Sequence, residues 1–200
     1  MTGEERGDGA PEADLTARAR IRNAALMRFA AHGFAGTTLR AIASDAGVTV
    51  GLIPHYYGSK SGLRDEVEAW VVDQFHQAIA RADREAGDAV AEARARDAFV
   101  SRMLEGNPLI VDYVRRETLH LDGDGQLISR LVRLTRASVD DMRAAGQASQ
   151  ERNVVEQVVA VMVRQLGQLF LQPLVDQVVG EFPEVERPPV MPTLDVGLQG

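Results

Sequence analysis

The 200-residue sequence contains no cysteine and only one lysine, Lys60. Without cysteine there are no disulfides, thiolate zinc sites or cysteine nucleophiles, which fits a reducing cytoplasm. With one lysine, arginine carries almost all the positive charge, a ratio that GC-rich codon bias explains without a functional cause. The start of the sequence lacks a basic leader with an apolar stretch, and no uncharged apolar run reaches roughly 18 residues. The best candidate span, Val154 to Leu171, is interrupted by Glu156, Gln157, Arg164, Gln165 and Gln168. A soluble, cytoplasmic chain with no membrane span is expected.

Signs of catalysis are missing as well. There is no nucleophile elbow, Walker loop, dinucleotide-binding glycine pattern or paired-carboxylate arrangement, so neither catalytic residues nor a cofactor are expected. His32, His76 and His120 lack paired-ligand spacing, so no metal site is expected. Asp122 and Asp124 lie between glycines but lack the spacing and closing glutamate of a calcium loop, and are read as a turn. No internal repeat and no strand-period segment stands out.

What is present is helical. Hydrophobic residues make up 45% of the chain, enough for a buried core. The net charge of −7 is unevenly spread: from Leu15 to Lys60, Arg18, Arg20, Arg22, Arg28, Arg40 and Lys60 face one acid, Asp45. A basic module on an acidic body suits localised contact with phosphates. Residues 1–13 are nearly devoid of apolar side chains and read as a disordered arm. Leu15 to His32 places Ile21, Ala25, Leu26 and Phe29 on one helical stripe, ending at Gly33, with Phe34 packing back. Arg18, Arg20 and Arg22 suit either backbone phosphates or a solvated charged face.

From Thr37 to Leu63 the pattern is short helix, break at Ala46-Gly47, short helix. Thr38 and Thr49 each precede an apolar run and are read as N-caps. Gly47 supplies the sharp reversal, while Ile53 and Tyr57 continue the inward face. This is the pattern of a helix-turn-helix, whose second helix enters a DNA major groove. Ser59 caps the next helix, which runs to about Asp83. After a break at Gly87-Asp88, helices are expected to Glu105, from Pro108 with Leu109, Ile110, Tyr113 and Val114 inward, from Gln126 to Ala145, and from Asn153 to Leu171. The last is apolar on nearly all sides and needs a partner on one of them. Pro173 is expected to kink or end it, with Leu174 to Val179 as an extra turn or two and a proline-rich tail packed only in part from Glu181. Trp70, Phe99, Met103, Tyr113, Glu117, His120 and Met162 are candidate walls of a mostly apolar effector cavity, and each also suits an ordinary core position.

The stretch ALMRFAAHGFAGTTLRAIASDAGVTVGLIPHYYGSKSGL, Ala25 to Leu63, resembles the TetR/AcrR family of one-component bacterial transcription regulators. The resemblance rests on the F-A-x-x-G-F end of the first helix, T-T-L-R-x-I-A, the A-G-V turn and the Y-Y-G-S-K junction. It implies an all-α fold: a three-helix DNA-binding domain at 14–60 joined to a larger helical effector-binding and dimerisation domain at 61–200. It further implies a homodimer on a near-palindromic double-stranded operator, released by a small apolar or amphipathic effector. Laid on this sequence, it makes Thr38 and Thr49 phosphate-touching caps and Arg40 a reader of a base edge or phosphate. Val50, Gly51 and Pro54 fall at base-facing positions, His55 and Tyr56 beside the backbone, and Lys60 against a phosphate. Pro54 stands where the family usually has tyrosine, and Leu52 where a small hydroxyl residue is common. The second helix is therefore expected to be short, with a thin polar code. The competing readings are an enzyme and a helical interaction module that does not bind DNA.

Overall fold

The computed structural model describes residues 10–85, 89–120, 125–190 and 192, with side chains left out at 10–15, 83–85 and 89–94. The fold is all-α, and no strand occurs among the described residues. Helix α1 spans Ala10–Gly36, α2 Leu39–Ala46, α3 Leu52–Tyr57, α4 Lys60–Glu85, α5 Ala89–Glu105, α6 Pro108–Leu119, α7 Leu127–Ala144 and α8 Val154–Gly180.

The described residues form two compact units. The first runs through α1, α2, α3 and the start of α4 to Val71, then resumes at Pro108–Gln126 with α6. Its core is the expected stripe of α1 (Ile21, Ala25, Leu26, Phe29) with Ile42, Ala43, Ile53, Leu63, Val67, Ile110, Tyr113 and Val114, all buried. Leu109, expected on that inward face, lies at the edge of the Ile110–Tyr113–Val114 stripe and is exposed. Helix α1 starts at Ala10, so residues 10–13 of the expected arm are helical. Pro11 falls in the first turn, where its missing N–H leaves no bond unmade. Residues 1–9 of that arm, the break at Gly87-Asp88 and Asp122 to Asp124 of the expected turn lie outside the described residues.

Gly33 ends the regular part of α1 at φ 70°, ψ 171°, a backbone that side chains rarely tolerate, and the rings of Phe29 and Phe34 then meet at 5.7 Å. The Ser59 hydroxyl accepts the Gly62 amide at 3.0 Å and caps α4 as expected.

The second unit holds Val72–Asn107 and everything from Leu127 onward. In α7, Leu127, Leu131, Thr135 and Val139 repeat every four residues and are buried. Helix α8 is capped by the Asn153 side chain, which accepts from the Val155 amide at 2.8 Å. Val158 is its one buried residue, while Val155, Val159, Leu174 and Val178 are exposed. The expected end or kink at Pro173 is not an end: α8 runs on to Gly180. Proline removes one amide donor, but its φ is itself helical, so the turns on either side continue. The tail makes a 3₁₀ turn at Glu184–Glu186 and is tied back where Arg187 donates to the carbonyls of Phe182 and Gly180. By length and composition alone, α8 is long and apolar enough to cross a membrane.

Candidate DNA-binding interface

Two short helices joined by a tight turn build this surface. Thr38 takes extended backbone (φ −109°, ψ 149°) and its hydroxyl accepts the Ala41 amide at 3.2 Å, capping α2. At the other end Gly47 adopts φ 62°, ψ 42° and its amide reaches the carbonyls of Ala43 and Ser44. That left-handed residue closes the helix and turns the chain toward α3. Helix α3 has no side-chain cap, which corrects the reading of Thr49 as one. The turn starts instead on main-chain carbonyls: Leu52 N–H donates to Thr49 and Ile53 N–H to Val50. Helical backbone at Gly51 brings those carbonyls into range without any hydroxyl.

Helix α3 is six residues long, as short as expected. Pro54 sits in its first turn, where helix amides have no intrahelical acceptor anyway. Two inward side chains hold it. Ile53 is fully buried, and Tyr57 donates its hydroxyl to the Arg18 carbonyl on α1 at 2.8 Å. Burial raises the pKa of the Tyr57 phenol, which therefore stays protonated as a donor at neutral pH. With those two facing in, Val50, Gly51, Pro54 and His55 are left exposed in one run. Tyr56 is half-buried, its ring edge-on to His55 at 5.1 Å.

The basic residues divide into two groups. Arg40 and Arg20 are exposed, and neither makes a hydrogen bond or ion pair with another described residue. Arg28 instead pairs with Asp45 across α1 and α2 through two bonds, at 2.5 and 2.8 Å. This hydrogen-bonded pairing holds the Asp45 carboxyl below the usual carboxylate range. Arg22 lies over the Trp70 ring at 4.5 Å and bonds Asn23. Lys60 donates to the Phe34 carbonyl and sits 4.3 Å from the Phe34 ring, so it fastens α4 to the end of α1. Burial lowers its pKa, and neighbouring Arg64 adds to the effect.

The seven candidate effector residues do not share one cavity among the described clefts. Trp70, Tyr113, Glu117 and His120 belong to the first unit. Of these, Trp70 stacks on Arg22, Tyr113 is fully buried and His120 edges a surface groove with Met27 and Leu119. Phe99 and Met103 line a cleft of about 360 Å³ in the second unit with Gln74, Gln77, Arg81 and Arg102. Met162 lies in a separate valine-lined groove between α7 and α8 and accepts the Thr135 hydroxyl. Helical spacing put apolar residues inward but carried no information on which helices would meet.

Two residues escaped the sequence reading because their partners are remote. Arg116 of α6 donates to the carbonyls of Ala30 and Ala31 at 2.8 Å each, satisfying acceptors at the end of α1. Glu68, fully buried on α4, accepts the Gln126 amide through both oxygens just ahead of α7. A side chain at Gly125 would place its Cβ 2.7 Å from Glu117 Oε2 and 3.1 Å from Glu68 Oε1, so those carboxylates would have to shift to admit it. Arginine one position before the flagged Glu117 was the only local hint.

Residues 21–67, which hold α2, α3 and the start of α4, match the family model for bacterial regulatory proteins of the tetR family. Over 70 residues the chain is 50% identical to the HTH-type transcriptional regulatory protein RaaS of Mycobacterium tuberculosis, covering 35% of this chain and 32% of that protein. Over 69 residues it is 36% identical to the HTH-type transcriptional regulator BetI of Paraburkholderia xenovorans, covering 34% and 35%. The chain thus matches about a third of the length of these curated relatives. For the fold, a TetR family transcription regulator from Marinobacter aquaeolei superimposes with a TM-score of 0.65 at 19% identity, over 88% of this chain and 91% of that one. The sequence similarity to the tetR family of bacterial regulatory proteins thus covers the N-terminal third of the chain, and the likeness beyond it is one of fold.

Proposed function

We propose that the protein is a dimeric, cytoplasmic repressor that binds a near-palindromic DNA operator and is released by a small apolar or amphipathic molecule. The observation that carries this reading is the exposed run Val50, Gly51, Pro54 and His55 on a helix pinned from behind by Ile53 and Tyr57. A rigid mount with an outward face is what insertion into a major groove requires. Arg40 and Thr38 border that face, with Arg40 set to reach a base edge or a phosphate. Val50 and Pro54 offer apolar contact to thymine methyl groups. Since so few polar groups face outward, backbone placement and DNA shape supply much of the selectivity. In this reading Lys60 reaches phosphate with the donors it does not spend on Phe34.

Dimerisation is supported by α8. Its exposed valines and leucines, with Val132 of α7, form an apolar face that a second copy would cover as a four-helix bundle. Helix α8 also carries Glu156, Arg164 and Asp176, and Arg164 bonds Asp97 of α5 at 3.1 Å. Those charges and that tie favour a protein partner over a bilayer. Two heads would then meet successive grooves about 34–36 Å apart. The effector would act from the second unit, with α4 as the lever, and coupling of about 1–3 kcal/mol would weaken DNA binding roughly 5–150-fold.

The reading is tested by selecting bound duplexes from a random pool with the full chain. Enrichment of a two-fold symmetric site supports it, and failure to enrich any sequence would defeat it. On the enriched site, Arg40→Ala should lose more discrimination against scrambled DNA than Lys60→Ala.

A further inference from the structure

A cavity of about 50 Å³ lies inside the second unit, walled by α4, α5, α7 and α8. Arg164 of α8 spends Nη2 on Asp97, while its Nε is buried with no hydrogen-bond partner among the described residues. A buried donor left unfilled on a charged group is costly, and it marks a place where an acceptor is wanted. Arg96 also lines the cavity, so the described residues of its wall include two guanidiniums and one carboxylate. Ile79, Val139, Met142 and Val161 supply an apolar part of the lining, and Thr135, Ser138 and Gln165 a neutral polar part.

We infer that this cavity binds a small aliphatic carboxylate, its acid group on Arg164 and its short chain against Val139, Met142 and Val161. The volume admits roughly four water-sized groups, which suits a carboxylate with one or two further carbons. Between anions, a guanidinium favours a carboxylate by charge-assisted hydrogen bonding, and the apolar part of the lining discriminates against inorganic anions, which have no carbon to bury. A bound acid would tie α8 to α7, in addition to the bond that Arg164 already makes to Asp97 of α5. For any effect on DNA the inference rests on the regulatory reading above; for the binding itself it does not.

The test is calorimetric titration of the full-length protein with sodium propionate at ionic strength held by chloride, against propionamide as the neutral isostere. Propionate should bind at least about tenfold more tightly than propionamide, and Arg164→Gln, checked for helicity by circular dichroism, should remove the difference. Equal heats for acid and amide in the wild-type protein would overturn the proposal whatever the variant does. So would a preference for propionate that survives Arg164→Gln. A second arm follows the selected duplex by fluorescence anisotropy with and without propionate. Propionate binding with unchanged DNA affinity would overturn the regulatory consequence and support the site alone. Loss of DNA binding on adding propionate supports both.

Discussion

The hydroxyl of Tyr57 donates to the main-chain carbonyl of Arg18, 2.8 Å away and 39 residues earlier in the chain. This bond fixes α3 against α1 from behind, while the opposite side of α3 carries the exposed residues. Tyr57→Phe keeps the ring and removes the bond. Stability should fall by up to about 1 kcal/mol in urea unfolding. DNA affinity should fall by up to about fivefold, since the helix is no longer held in one orientation. Unchanged affinity in a destabilised variant would show that the bond does not position the face.

Two glycines separate backbone need from surface role. Gly47 sits at φ 62° with open space around it, so Gly47→Ala meets no clash and is penalised for conformation alone. A loss of about 1 kcal/mol is expected. Gly51 is helical at φ −66°, also with open space, so Gly51→Ala should stabilise the fold by roughly 0.4–1 kcal/mol. The added methyl nevertheless lies on the outward face, and DNA affinity should fall. Paired thermal melts and anisotropy measurements check both, and a stabilised Gly51→Ala protein with full DNA affinity would remove Gly51 from the interface.

The Arg28–Asp45 pair gives an acid-dependent signature. Its hydrogen bonds hold the Asp45 carboxyl below its unfolded value, so the stabilisation is fully present above about pH 4. It is lost as pH falls through the lower folded value. In unfolding experiments run from neutral pH downward, the wild type should therefore lose stability more steeply below that point than Asp45→Asn. Parallel curves would contradict the pairing.

Arg116 clamps two carbonyls at the end of α1 with one planar fork. Arg116→Ala leaves those acceptors unfilled and should destabilise by about 1.5–3 kcal/mol. Arg116→Lys keeps the charge but lacks the fork, so it should restore only part of the melting temperature. Full rescue by lysine would mean that charge near the helix end, and not bond geometry, is what matters.

Local patterns were legible in the sequence wherever their cause was local. Thr38, Gly33, Gly47 and Ser59 each act on backbone within a few residues, and the sequence reading located every one. Ile53 and Tyr57 were placed inward by helical spacing, and the structure puts them there. Thr49 failed because residue type alone does not reveal that α3 begins with a main-chain turn. That the effector candidates are not gathered in one described cleft has a different reason. Trp70 and Phe99 are alike in size and apolarity, yet they fall in different compact units, a fact fixed by which helices pack together. Arg116 and Glu68 were invisible for the same cause, since each bonds main chain 58 or more residues away.

The most direct test of the central claim is the salt dependence of binding to the selected duplex by fluorescence anisotropy. The slope of log affinity against log salt is about −0.9 for each phosphate neutralised. A basic head presented twice by a dimer predicts a linear fall with slope of about −4 or steeper, made shallower by Arg40→Ala. An affinity flat across salt, or no saturable binding at low salt, would contradict the account.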